Sequence, residues 1–367
     1  MNQTIETTGM QTNFPGRLGD PATTLLTDPR LDPRIAAAMT MAAALAPGVT
    51  SVGPDATYEQ SLAYCLAFEQ ANAAFHPQLL AALPPAPTVH SSTTVIQGVD
   101  NNPINLYIHK PVDQQGPLPC VVHLHGGGMV LMTAEDPGFI GLRNDLAASG
   151  MVVIGVEFRN GGGRLGNHPF PAGLNDCASA VKWAYTNKDQ LGISAIVVAG
   201  ESGGGNLSLA TTLKAQAENW LDQINGVYAM CPYISGTYAA PPAELVSQVE
   251  NAGYMLEADM MGALVKVYDP SNDHADNPLA WPWRSAPATL AGLPPHFISV
   301  NELDPLRDEG LAYYRKLLAA GVSAVARTVH GTPHAGDVSL PGVVPDIYQE
   351  TLRSINGFAT ALAATRA

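Results

Sequence analysis

IVVAGESGGGNLSLA, residues 196–210, passes from an apolar, β-branched run through G-E-S-G-G into a helix-forming stretch. This is the pattern G-x-S-x-G in a strand–turn–helix context. A turn that tight requires the residues two positions either side of the serine to lack bulk, and Gly200 and Gly204 meet that requirement. Ser202 is then held at the tip, with the N–H groups of the following helix aimed at developing negative charge. A glycine-rich phosphate turn is the competing reading. The string lacks the lysine of a P-loop, and no G-x-G-x-x-G with a downstream ribose carboxylate is evident. Ser202 is therefore the expected nucleophile.

A nucleophilic serine needs donors for the oxyanion, a general base and a carboxylate to orient that base. LHGGGMV (124–130) follows the apolar run CVVHLH. Its successive glycines let the backbone approach a substrate closely, and their N–H groups, with that of Gly203, can bind the oxygen of a tetrahedral intermediate. Each such donor is worth about 3–4 kcal/mol in the transition state. Downstream, HFISVNELDPLRDEG (296–310) is a strand ending in a carboxylate-rich turn. Asp304 directly follows the strand and is the expected acid, with Asp308 second. Glu302 is expected to face elsewhere. In ARTVHGTPHAGD (326–337), His330 belongs to the strand end and His334 to the loop beyond it. Catalytic groups sit on loops above the sheet, so His334 is the expected base. A zinc pair from His330 and His334 lacks a third ligand nearby in sequence, as does His123 with His125. His125 is expected to brace the glycine loop through hydrogen bonds, and His168 to be structural.

Outward from this centre the chain alternates short β-branched runs with helical stretches. STTVIQGV (92–99) and INLYIHK (104–110) read as a leading antiparallel pair. CVVHLHG (120–126), VVIGVEF (152–158), AIVVAG (195–200), GVYAMCPY (226–233), HFISVNEL (296–303) and AVARTVHG (324–331) follow, with helices expected over 136–149, 172–188, 204–218, 306–320 and 345–364. Near-continuous apolar strands alternating with helices imply a mostly parallel sheet covered on both faces. The connection from Tyr233 to His296 is too long for a simple crossover and reads as an insertion, helical in part, above the carboxyl ends of the strands. Residues 1–33 read as a loose arm, with Ala- and Leu-rich helices following over 33–46 and 56–75.

Composition narrows the function. Hydrophobic residues make up 46% and charged residues 14%, enough to bury a large core. The net charge of −14 repels phosphate backbones and anionic lipid heads, so neither nucleic acid nor a membrane is an expected partner. Cys65, Cys120, Cys177 and Cys231 lie far apart and read as buried thiols of a reducing compartment. The N-terminal sequence has no basic stretch followed by an apolar core, and no run approaches the ~20 apolar residues of a membrane span. A cytoplasmic location is expected.

Taken together, HGGG at 125–128, GESGGGN at 200–206, DPLRDEG at 304–310 and GTPHAG at 331–336 resemble the hormone-sensitive-lipase family of esterases, over roughly residues 90–365. FRNGGGRLGNHPFPAGLNDC (158–177) is similar to that family's tyrosine–arginine…HPFPA…D segment, and GESGGGNL resembles its brefeldin A esterase branch. The resemblance implies an α/β-hydrolase fold: a mostly parallel eight-stranded sheet flanked by helices, with a helical cap. It divides the chain into an N-terminal arm and cap helices (1–88), a catalytic domain (89–233 and 287–367) and a cap insertion (234–286). It implies a Ser202–His334–Asp304 triad, with Gly127, Gly128 and Gly203 as oxyanion donors. The expected activity is a carboxylesterase cleaving short- to medium-chain or bulky esters through an acyl-enzyme, with no cofactor and no metal. Its implied partners are a small-molecule ester and, through the exposed eighth strand, a second copy in a homodimer. Where the family usually has Asp or Thr before the serine and Ala after it, this chain has Glu201 and Gly203; Met129 replaces a common aromatic. A non-catalytic receptor on this fold would be expected to lose the histidine, which is present. A long-chain lipase is the other alternative, with Met255, Met260, Met261, Trp281 and Trp283 lining an apolar pocket.

Overall fold

A computed structural model describes residues 16–43, 52–53 and 55–364. Residues 1–15 of the expected N-terminal arm, and the end of the first expected helix (44–46), lie outside them. The strands are β1 (Val89–Gln97), β2 (Pro103–Pro111), β3 (Leu118–Leu124), β4 (Val152–Val156), β5 (Ile193–Glu201), β6 (Gly226–Met230), β7 (His296–Asn301) and β8 (Ala324–Val329). The helices are α1 (Pro33–Ala43), α2 (Tyr58–Ala73), α3 (His76–Ala82), α4 (Pro137–Ala148), α5 (Ala172–Thr186), α6 (Lys188–Leu191), α7 (Gly203–Ala217), α8 (Ser247–Glu250), α9 (Ala258–Tyr268), α10 (Arg307–Ala319), α11 (Gly336–Ser339) and α12 (Pro345–Ala364). Among the described residues no helix is long and apolar enough to cross a membrane.

The strands form one eight-stranded sheet in the order β1-β2-β4-β3-β5-β6-β7-β8. β1/β2 and β2/β4 are antiparallel; every later pair is parallel. The alternation of side chains along a strand explains why these runs are apolar throughout. In β3 and β4, Val122 and Ile154 face a core shared with Leu174 and Cys177 of α5 and Leu207 of α7. Their neighbours Val121 and Val153 face the opposite layer, packed with Leu142 and Leu146 of α4 and Leu352 and Ile355 of α12. Two helical layers thus bury both faces of one sheet, and each large aliphatic side chain so buried contributes about 1.5–3 kcal/mol.

β6 ends at Met230, short of the Tyr233 limit read from sequence. Cys231 takes φ 34°, outside the strand region, and Pro232 follows. The connection after β6 contains only α8, α9 and short 3-10 turns. α9 lies against α2, and the Lys266 ammonium donates to the Ala56 carbonyl. α3 was not foreseen; Pro77 in its first turn starts a new helix where the preceding one stops. At the N-terminal side, Leu25, Leu31 and Ile35 form a small cluster with Tyr254, Val344 and Leu303, the residue before Asp304.

Candidate active site

β5 and α7 meet at Ser202, whose φ of 57° and ψ of −116° mark a strained turn. The glycines on either side are sterically required. A β-carbon at Gly204 would fall 1.8 Å from the Leu124 carbonyl oxygen, and one at Gly200 2.3 Å from it. The Ser202 N–H donates to Met230 O at 2.9 Å, and its carbonyl accepts from Tyr233 N–H at 3.1 Å. The serine is therefore fastened to the segment that leaves β6, and Cys231 lies in that segment.

β7 and β8 present the other two groups. Asp304 is fully buried, and His334 Nδ1 donates to its Oδ2 at 2.8 Å. Burial works against a charged imidazole, but the adjacent carboxylate outweighs it and raises His334 well above the usual histidine range. The two loops are laced together. Leu303 N–H donates to Thr332 O at 3.0 Å, and Asn301 Nδ2 bridges Thr332 Oγ1 at 2.8 Å and Asp337 Oδ1 at 2.9 Å. Asn251 Nδ2 donates to the carbonyl of Asp304 at 3.1 Å.

The glycine loop after β3 closes over the elbow. Gly127 and Gly128 have φ of 98° and 62°, in the region that favours glycine. A β-carbon on Gly128 would lie 2.7 Å from Leu264 Cδ1 of α9. One on Gly203 would lie 2.6 Å from Gly128 N and 2.5 Å from Met129 N, so the first turn of α7 and this loop are in direct backbone contact.

The other residues weighed in the sequence have partners of their own. His330 is exposed, with Nδ1 3.2 Å from Glu302 Oε1. Asp308 accepts from Ser247 N–H at 2.8 Å instead of from His334. His125 donates Nδ1–H to Gly126 O at 2.8 Å and stacks on Phe158 with ring centroids 4.2 Å apart. Burial pushes it down to about 3, so it is neutral. The four cysteines are free and buried. Met261, Trp281 and Trp283 are buried in the main core, while Met255 is exposed.

The role of Glu201 could not be read from the sequence. Glu201, beside the serine, is buried, and its carboxylate accepts from Gly126 N–H at 2.9 Å and from His123 Nε2 at 3.0 Å. Burial alone would raise its carboxyl. The adjacent His123 and the Gly126 N–H outweigh that and hold it below the ordinary value. A buried charge is tolerable only when paired in this way. The carboxylate ties the nucleophile's turn to the first glycine of the loop. Its sequence signals were a charged residue inside an otherwise apolar strand end and the departure from the family's usual Asp or Thr.

A strained serine between strand and helix, a buried His–Asp pair after the last two strands and a glycine loop facing that helix define an α/β-hydrolase. The family model described as alpha/beta hydrolase fold matches residues 121–336, and the chain belongs to that family. Within it, the chain is a carboxylic-ester hydrolase of the hormone-sensitive-lipase type. It is 32% identical over 293 residues to carboxylesterase NlhH of Mycobacterium tuberculosis, covering 78% of this chain and 85% of that protein. Its structure is similar to that of brefeldin A esterase, a bacterial homologue of human hormone-sensitive lipase, at TM-score 0.90 and 41% identity, covering 97% of this chain and all of that one. Esterase Est22 matches at TM-score 0.80 and 37% identity, covering 92% of this chain and 99% of that one.

Proposed function

We propose that the protein hydrolyses short- to medium-chain or bulky carboxylic esters through an acyl-enzyme on Ser202. His334 takes the hydroxyl proton as Ser202 attacks the ester carbonyl, and Asp304 orients the imidazole and stabilises its charged form. The N–H groups of Gly127, Gly128 and Gly203 receive the oxyanion. His334 returns the proton to the departing alcohol, and water then releases the acid by the same route. The observation that carries this reading is the buried 2.8 Å His334–Asp304 hydrogen bond, at strand ends adjoining a serine held at φ 57°.

We assign residues 1–88 and 234–286 to a cap over the cleft. The contact between Leu264 and Gly128 supports this, as does Glu69 of α2, which accepts from Met132 N–H at 2.5 Å just beyond the glycine loop. Burial of Trp281 and Trp283 in the core favours smaller acyl chains over long lipid ones. The edge position of β8, with Val325 exposed, is the proposed homodimer contact, and the four reduced thiols accord with a cytoplasmic setting. The test is twofold. An organophosphonate should add its mass at Ser202, and p-nitrophenyl esters from acetate to palmitate should give the highest kcat/KM at short or medium length. Labelling elsewhere would overturn the mechanism, and a maximum at emulsified palmitate would overturn the substrate range.

A further inference from the structure

Cys231 plays no part in ester hydrolysis as derived above, yet it stands against the base and its acid. It is the first residue beyond β6, and its N–H donates to Ser299 O of β7 at 2.7 Å. It is fully buried, as is Asp304, whereas the His334 side chain keeps 10% of its surface open. Cys231 Sγ, an Asp304 carboxylate oxygen and a ring nitrogen of His334 all lie within 4.8 Å of one another. Nothing in the sequence announced this, because residues 231, 304 and 334 carry no ligand spacing.

We propose that Cys231, His334 and Asp304 form an inhibitory site for a thiophilic divalent cation such as zinc or cadmium. Thiolate, imidazole and carboxylate are the donors zinc takes in proteins, while magnesium and calcium prefer oxygen alone. Bonds of about 2.0–2.3 Å in tetrahedral array place donor atoms about 3.5 Å apart, so side-chain shifts of an ångström or so complete the set. The exposed tenth of the His334 side chain is the route by which the cation would enter, with water as its fourth ligand. On binding, the Cys231 S–H bond breaks, a cation–sulfur bond forms and the thiol proton passes to solvent; no electron is transferred. The cation occupies the base and its carboxylate, breaks the His334–Asp304 hydrogen bond and stops turnover until it is removed.

The inhibition rests on the triad proposed above; the binding does not, so the experiment reads the two separately. Zinc and cadmium are titrated calorimetrically into the full-length Ser202→Ala variant, and the ultraviolet thiolate-to-cadmium band is followed in parallel. The expected result is one cation per chain. Adding Cys231→Ser should weaken binding at least about tenfold and remove the band. With otherwise unaltered Ser202, zinc should inhibit reversibly, with recovery on chelation and no effect of magnesium. Cys231→Ser, scaled to its own uninhibited rate, should need at least about tenfold more zinc. Cys231→Ala serves the same purpose should the serine variant fold poorly. Absence of cation binding in Ser202→Ala, or equal zinc sensitivity with and without the thiol, overturns the proposal. Full turnover by Ser202→Ala would instead refute the triad while leaving the binding result readable.

Discussion

Replacing Glu201 by Ala tests whether the nucleophile's neighbour sets the geometry of the oxyanion loop. The substitution deletes two hydrogen bonds to a buried carboxylate, from Gly126 N–H at 2.9 Å and His123 Nε2 at 3.0 Å, and leaves both donors without a partner. Bonds to charged groups contribute about 1.5–3 kcal/mol each. They share one carboxylate and are not additive, so the expected loss of stability is about 3–5 kcal/mol. At about 2.1 cal/mol/K per residue, a chain of this length loses about 1.3 °C of Tm per kcal/mol, giving a fall of about 4–7 °C. The effect on turnover has a ceiling, since loss of a whole oxyanion donor costs about 10²–10³ in kcat. Part of the loop's anchorage survives, because Gly161 N–H donates to Met129 O at 2.9 Å and Gly162 N–H to Val130 O at 3.0 Å. The expected drop in kcat is therefore about 10–10² with KM little changed. Glu201→Gln keeps an acceptor for Gly126 and should recover most of kcat. Calorimetry and p-nitrophenyl acetate kinetics on the three proteins check this. An alanine variant that loses the expected Tm but keeps kcat within about twofold would refute the positioning role.

Other outcomes follow from the same geometry. Ser202→Ala should lower kcat by about four to six orders of magnitude, measured against the same ester, with the fold unchanged by circular dichroism. Gly203→Ala installs the residue usual in the family, but here its β-carbon meets Gly128 N at 2.6 Å and Met129 N at 2.5 Å. It should cost about 10²-fold in kcat, and wild-type kinetics would contradict the close contact. Glu309 of α10 is wholly buried, accepting from Ile234 N–H at 2.7 Å and Tyr238 O–H at 3.0 Å, and burial raises its carboxyl to about 8. A raised folded value favours the protonated form, so its contribution is full below the unfolded value near 4.5 and is lost as pH rises through about 8. Glu309→Gln should therefore gain Tm relative to wild type between pH 5 and 8.5; a gap that stays constant or narrows would disprove the assignment. His334 must be neutral to accept the serine proton, so kcat/KM should fall on acidification, and a flat profile down to pH 5 would count against it.

Most of the fold was legible because its signals are local. Val152–Val156 reads as a buried strand on its own composition, and Gly200 and Gly204 announce the turn by steric necessity. His334 was preferred to His330 because it lies further into the loop after the last strand; in the structure β8 already ends at Val329, His330 is exposed, and His334 is the one bonded to Asp304. What escaped depends on juxtaposition across the sheet. Glu201 acquires its role only when β3 lies beside β5, bringing His123 and Gly126 to it, and Cys231 only when β6 lies beside β7. Asn301, Thr332 and Asp337 are common polar residues whose bracing of the histidine loop no spacing reveals. The short α3 and the early end of β6 were hidden by prolines whose effect depends on exact position.

The histidine loop leans on the long helix α12. Asp337 is held by Asn301 on one oxygen and by Thr351 Oγ1 of α12 at 2.9 Å on the other. A helix that need never meet an ester thus secures the loop bearing the base. Loosening α12 would therefore weaken hydrolysis from outside the cleft.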